Sequence, residues 1–286
     1  MRPGKPKARS RTAITLAAML CLSLAPATLA QPGAEAIDAQ PDLDEQASRE
    51  KALFVIRRHI RSVGGEDALR AATHIAFEGK FQIKGAPFVG RVQSQRAVPG
   101  RQLTRLDLGQ NGTILQGYDG QIAWTVHPTT GPTLLEGPTA HALARNANPQ
   151  ADLHYETNYT RIEYLGDAEF EGEPAFAIRL TDPFGAVTTE YFSKGRGTRI
   201  GVAGERPSAD GPVPYTRALL DYRVFERLHL PTRTVERFGR QEITLTVESV
   251  SFAPIYESAF QPPPSVQALI ESERKDGSDQ ADEDAP

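Results

Sequence analysis

Helical periodicity is clear in one stretch. From Ala47 to Val63, Ala52, Leu53, Ile56, His59, Ile60 and Val63 fall on one face, while Arg49, Glu50, Lys51, Arg57, Arg58 and Arg61 lie largely elsewhere. Gly64-Gly65 ends this helix, because glycine enters the left-handed conformation without a Cβ penalty. Glu66-Asp67-Ala68-Leu69 starts a second, short helix with two acids where the helix dipole favours them. A lone amphipathic helix of this length needs a partner surface for its apolar stripe.

After Thr73 the period changes to two. Ile75, Phe77, Phe81 and Ile83 share one face, and His74, Glu78, Lys80, Gln82 and Lys84 the other. Short runs of the same kind follow at 89–98, 102–108, 113–118, 122–126, 133–135, 161–165, 175–181, 187–192, 199–202, 216–225, 232–238 and 242–252. Asn111-Gly112, Asp119-Gly120, Asp182-Pro183 and Lys194-Gly195 supply turns between them. About a dozen strands at near-regular spacing predict one large, strongly curved antiparallel sheet, closed or half-closed. Pro138 to Arg145 interrupts the strands as a short Ala-rich helix, stopped before Asn148-Pro149. Residues 204–214 read as an exposed loop, and no fixed-period repeat is present.

The N-terminus changes the picture of where this sheet works. Arg2, Lys5, Lys7, Arg9 and Arg11 precede an apolar run from Ala13 to Leu24, and Thr28-Leu29-Ala30 forms a small-residue cleavage site. That layout predicts a signal peptide over 1–30, with an apolar run too short for a comfortable membrane span. Cys21 is the sole cysteine, and Met19-Leu20 before it do not suit lipid attachment, so a mature chain from Gln31 is thiol-free. Without the five signal cations the chain holds 27 basic and 36 acidic residues. Residues 31–50 and 271–286 each carry −5, which leaves +1 on 51–270. Acidic, apolar-poor flanks predict disordered segments at 31–46 and 266–286 around one folded domain at 47–265. A nearly neutral domain has no electrostatic footprint for nucleic acid.

Catalytic motifs are absent. The chain has no Gly-x-Ser-x-Gly, His-Glu-x-x-His, P-loop or dinucleotide fingerprint. Histidines stand at 59, 74, 127, 141, 154 and 229; Asp152-x-His154 near His141 is the one metal-like spacing and lacks a visible third ligand. What remains is apolar surface. Ile56 and Ile60 on the helix, with Phe77, Phe81, Ile83, Trp124, Phe176, Ile178 and Tyr191 on the strands, are candidate ligand-lining residues. Core packing under the helix is the plainer account of the same residues. A dozen strands exceed what one helix covers, which would leave an apolar hollow.

The order of short motifs resembles a known family. Val63-Gly64-Gly65-Glu66-Asp67-Ala68-Leu69 leads to Phe77-Glu78-Gly79, then Gly117-Tyr118-Asp119-Gly120-Gln121-Ile122-Ala123-Trp124 and Leu134-Leu135-Glu136-Gly137. Tyr164-Leu165-Gly166, Glu171-Gly172-Glu173-Pro174-Ala175-Phe176, Tyr191-Phe192, Asp221-Tyr222-Arg223 and Leu230-Pro231 complete the series. Over about residues 50–263 this is similar to the outer-membrane lipoprotein-sorting superfamily, the LolA/LolB-like periplasmic proteins. The resemblance implies a mainly β fold with a few helices: an incomplete, half-open antiparallel barrel of about 10–12 strands wrapped around the N-terminal helix. It implies a periplasmic, non-enzymatic carrier of lipoprotein acyl chains or another lipid-like ligand, in a Gram-negative-type envelope and with no cofactor. An envelope protein partner, with the fold acting as an interaction or stress-sensor module, is the alternative. It matches no individual ligand-contacting residue to a position here.

Overall fold

The computed structural model describes residues 43–206 and 212–283. The segment 1–30 predicted as a signal peptide, Cys21, the acidic stretch up to residue 42 and residues 207–211 of the predicted loop lie outside them. None of the helices among the described residues is long and apolar enough to cross a membrane.

Helix α1 runs over Leu43–Ser62 and α2 over Glu66–Ala71. Six strands follow: β1 (His74–Ile83), β2 (Val89–Ala97), β3 (Arg101–Asp107), β4 (Thr113–Tyr118), β5 (Ala123–His127) and β6 (Gly131–Leu135). Helix α3 (Gly137–Ala147), a 3-10 turn (Ala151–Leu153) and the short α4 (Tyr155–Asn158) then cross to β7 (Arg161–Phe170). After it come β8 (Glu173–Thr181), β9 (Val187–Ser193), β10 (Arg199–Arg206), β11 (Val213–Phe225), β12 (Leu228–Phe238) and β13 (Gln241–Ser251). A 3-10 turn (Glu257–Phe260) and α5 (Pro264–Glu283) close the described chain.

All thirteen strands make one open antiparallel sheet, ordered β6-β5-β4-β3-β2-β1-β13-β12-β11-β10-β9-β8-β7. Two meanders, β1 to β6 and β7 to β13, are joined edge to edge where β1 pairs with β13, Phe81 opposite Leu245. The fold is the expected incomplete barrel, with one strand more than the expected upper count. β10 and β11 also extend into the stretch read as a loop, taking Gly204 to Arg206 and Val213-Pro214 into the ladder.

Register defines an inner face. Phe81 pairs with Gly90 and Gly79 with Val92, so the odd residues of β1 share a face with the even residues of β2. The same face carries Ile162, Ile178, Leu180 and Phe192, which pack against Ala52, Val55 and Ile56 of α1. The helix is seated by the stripe that its periodicity predicts. Its end is fixed by Gly64, where φ is +130° and a Cβ would stand 2.3 Å from the Arg227 carbonyl oxygen.

The outer face is covered too. Trp124 pairs with Gly117, and its indole lies where a Gly117 Cβ would sit; its exposure is 1%. Gly117 alternates with Gln116, whose pairing with Thr104 places it on the inner face, so Trp124 lies on the outer one. The turn Glu257–Phe260 packs near β3 and α5 near β6, with Phe260 and Val266 buried. α5 thus runs through residues read as a disordered tail. Val266, Leu269 and Ile270 recur at helical spacing there, and Val266 has no exposed surface. Val266→Asp should cost more than about 2 kcal/mol by burying an unpaired carboxylate. Removing residues 275–286 should move Tm by less than about 3 °C. Thermal melts of the two variants check this, and equal effects would mean that α5 is not anchored through Val266.

Candidate functional site

Between α1, the α3–α4 crossover and the inner face lies a cavity of about 270 Å³. One wall is aliphatic: Val63, Leu69, Leu219, Leu228 and Leu230. The other carries Arg96, Arg145, Asp152, Tyr155, Glu190 and Arg199.

Alternation places these charges inward. Along β2 the inner positions run Gly90, Val92, Ser94, Arg96, from apolar to charged. Ser94, Gln102, Thr104 and Gln116 form a buried polar belt beside it, with Ser94 Oγ 3.0 Å from Thr104 Oγ1 and Gln102 Nε2 donating to the same oxygen at 3.2 Å. Arg217 Nε donates to Glu236 Oε1 at 2.5 Å on β11 and β12. The Arg206 guanidinium pairs with Glu236 at 3.3 Å and lies over the Tyr215 ring. The interior is therefore charged in its middle and apolar at its ends.

Arg199 organises the site. It begins β10 at a register shift, and its backbone N–H donates to His59 Nδ1 at 3.1 Å. That bond puts the ring proton on Nε2, which lies 3.3 Å from Asp152 Oδ2. Arg199 Nη1 donates to Glu190 Oε1 and to the Tyr155 hydroxyl, both at 2.9 Å, and Nη2 is 3.4 Å from Asp152 Oδ1. Tyr155 in turn donates to Glu190 Oε2 at 2.6 Å, and Tyr222 donates to the Arg199 carbonyl at 2.5 Å. Burial pushes the Asp152 carboxyl upward, but Arg199 and His59 outweigh it and hold the group well below the usual carboxylate range. Burial drives the Tyr155, Tyr159 and Tyr222 phenols above their ordinary value. Apart from Arg199 Nε, which is buried without a partner, these groups pair with one another and form a brace rather than an acid–base pair poised on a substrate.

Two cations stand apart from the brace. Arg145, in the last turn of α3, sits 5.0 Å over the Tyr159 ring and 3.7 Å from Asp182 Oδ2, beyond hydrogen-bond reach, and its Nη1 has no hydrogen-bond partner. Arg96 has an unpartnered, buried Nε and makes no ion pair with any described residue. Burial first, and Arg217 second, pull its pKa down to about 10.

The sequence-derived candidates fall elsewhere. Ile56 and Ile178 are in the cluster under α1, with Phe176 packed on it, and Ile60 bridges that cluster to Val63 and Leu69. Phe81 and Ile83 belong to a second inner cluster with Val92, Leu106, Ile114 and Leu245, and Phe77 packs against it. Trp124 is on the outer face. So is Tyr191, which pairs with Ala177 and stacks on Phe170 at 4.7 Å. None of the nine is among the side chains lining the cavity. Among the described residues no three His, Cys, Asp or Glu side chains gather as a metal site requires. His154 is not a cavity residue, and Asp152 serves Arg199 and His59 instead. A signal for the charged wall does exist in the sequence: Arg96 is in phase with Val92, Glu190 with Phe192 and His59 with Ile56, polar residues at apolar positions.

The chain matches no sequence-family profile and no curated protein. Solved structures do share its fold. A domain from Vibrio parahaemolyticus described as an outer membrane lipoprotein-sorting protein matches with TM-score 0.54 and 14% identity, covering 74% of this chain and 97% of that one. A DUF1329 family protein from Desulfovibrio piger gives 0.53 and 10%, over 76% and 97% of the two chains. A LolA superfamily protein from Nitrosomonas europaea gives 0.51 and 12%, over 77% and 99%. At these identities the likeness is one of fold, and in the fold the resemblance carried by the sequence motifs is borne out.

Proposed function

We propose that this protein is a non-enzymatic carrier or binder of a lipid-like ligand, such as a lipoprotein acyl chain, in the periplasm of a Gram-negative-type envelope after cleavage at Ala30. The observation that carries the reading is the cavity between α1 and the sheet, with an aliphatic wall formed by Val63, Leu69, Leu219, Leu228 and Leu230. The fold likeness to a lipoprotein-sorting domain supports it, as does the mutual pairing of His59, Asp152, Arg199, Glu190 and Tyr155, which commits both cavity carboxylates to structural partners.

The driving force is removal of methylenes from water, about 0.8 kcal/mol each. Calorimetric titration with a homologous series of n-alkyl carboxylates should therefore show affinity rising about fourfold per added CH₂ until the chain outgrows the cavity. Leu219→Trp, which fills the cavity from β11, should abolish binding while the chain still melts cooperatively. No heat from any chain length, together with an apolar extract of the purified protein that contains no lipid, would remove the carrier reading.

A further inference from the structure

The cavity contains more positive charge than the brace neutralises. Three guanidinium groups face it, and its two carboxylates, Asp152 and Glu190, are both committed to Arg199, His59 and Tyr155. Arg145 has one acid at 3.7 Å, outside hydrogen-bonding distance. Arg96 has none. It stands on β2 between Ile75 and Gln102, both uncharged. A buried cation without a partner is costly, and replacing it with a well-packed apolar residue is often neutral or stabilising. Such a residue is understandable if the partner arrives with the ligand.

We propose that the cavity takes an acidic amphiphile, whose carboxylate or phosphate head binds Arg96 and Arg145 and whose chain lies against the Val63–Leu69–Leu228 wall. This deepens the carrier reading and rests on it. The two arginines come from different elements, β2 and the end of α3, and reach the same cavity from two sides. A planar guanidinium is suited to the two oxygens of such a head. The aliphatic wall selects against a free inorganic anion, which would gain nothing from it.

The test uses the purified chain and four probes: dodecanoate, dodecyl phosphate, dodecanol and inorganic phosphate. Both anionic amphiphiles should bind about tenfold or more tighter than dodecanol, and added salt should narrow the gap. Arg96→Gln should cost the anionic amphiphiles about tenfold while dodecanol changes by less than about threefold, and Arg145→Gln should act in the same direction. Arg96→Gln should melt no lower than the wild-type chain, so a loss of binding is separable from unfolding. Equal affinity for dodecanoate and dodecanol, or an anionic affinity untouched by Arg96→Gln, would overturn the proposal and leave the carrier reading in place. Inorganic phosphate binding as tightly as dodecyl phosphate would replace the amphiphile with a free anion. Failure of all four probes would sink the carrier reading, and the proposal with it.

Discussion

Arg199→Met should destabilise the protein by about 3–5 kcal/mol at neutral pH, since it leaves Asp152 and Glu190 facing the cavity without their cation. Methionine matches the length of the side chain, so lost volume contributes little. The loss should also depend on pH. In the wild-type chain the Asp152 carboxyl lies well below the usual carboxylate range, held there by Arg199 and His59 against burial. Its ionised form therefore stabilises the fold above the unfolded value of about 4, and this contribution is lost only as pH falls through the depressed folded value. With the guanidinium removed, only His59 still opposes burial, so Asp152 is held down less and protonation relieves the variant first. Urea melts of the two proteins at pH 7 and at about pH 3 should show the gap shrinking with acid. A gap of the same size at both pH values would mean that the arginine acts through packing alone.

Ile56→Asp should abolish cooperative unfolding or cost about 4 kcal/mol or more. Ile56 is 3% exposed and lies among Ala52, Val55, Tyr155, Ile162, Ile178, Leu180 and Phe192, where the Tyr155 hydroxyl proton is already given to Glu190. Its neighbour Arg57 points away from the sheet and is exposed, so Arg57→Asp should change stability by less than about 0.5 kcal/mol. Similar effects from adjacent residues would contradict a docked α1. The contrast needs only two melts, and it isolates the helix–sheet contact because the charge is introduced at the same point along the helix.

Much of this architecture is legible from spacing. The 3.6-residue stripe of Ala52, Ile56 and Val63 and the period-two runs from His74 onward are direct consequences of one-sided burial, so the helix, the strands and the curved sheet follow from them. Which side of a strand faces inward does not follow when both sides are covered. Trp124 alternates correctly with Ile122 and Val126, yet Phe260 and Val266 bury the outer face nearby and Gly117 leaves room there for the indole. Tyr191 is drawn outward by Phe170, Ala175 and Ala218. The cavity was hidden for a different reason. Its residues come from α1, α2, β1, β2, α3, the crossover, β9, β10, β11 and β12, and only tertiary pairing brings Arg96 near Arg145 and Arg199. A search for apolar positions passes over them because they are the polar exceptions within apolar runs.

The β1–β13 seam has a consequence for how the molecule is made. Ala76 pairs with Ser251, so nearly the whole domain must be available before that ladder can form. Hairpins within each meander close over short loops, whereas the seam carries the entropy of a very long one. Of all the strand pairings in the sheet, the seam therefore carries the largest loop-closure cost. Until it closes, β1 and β13 each present an unpaired row of amides and carbonyls, the kind of edge on which another chain can add a strand.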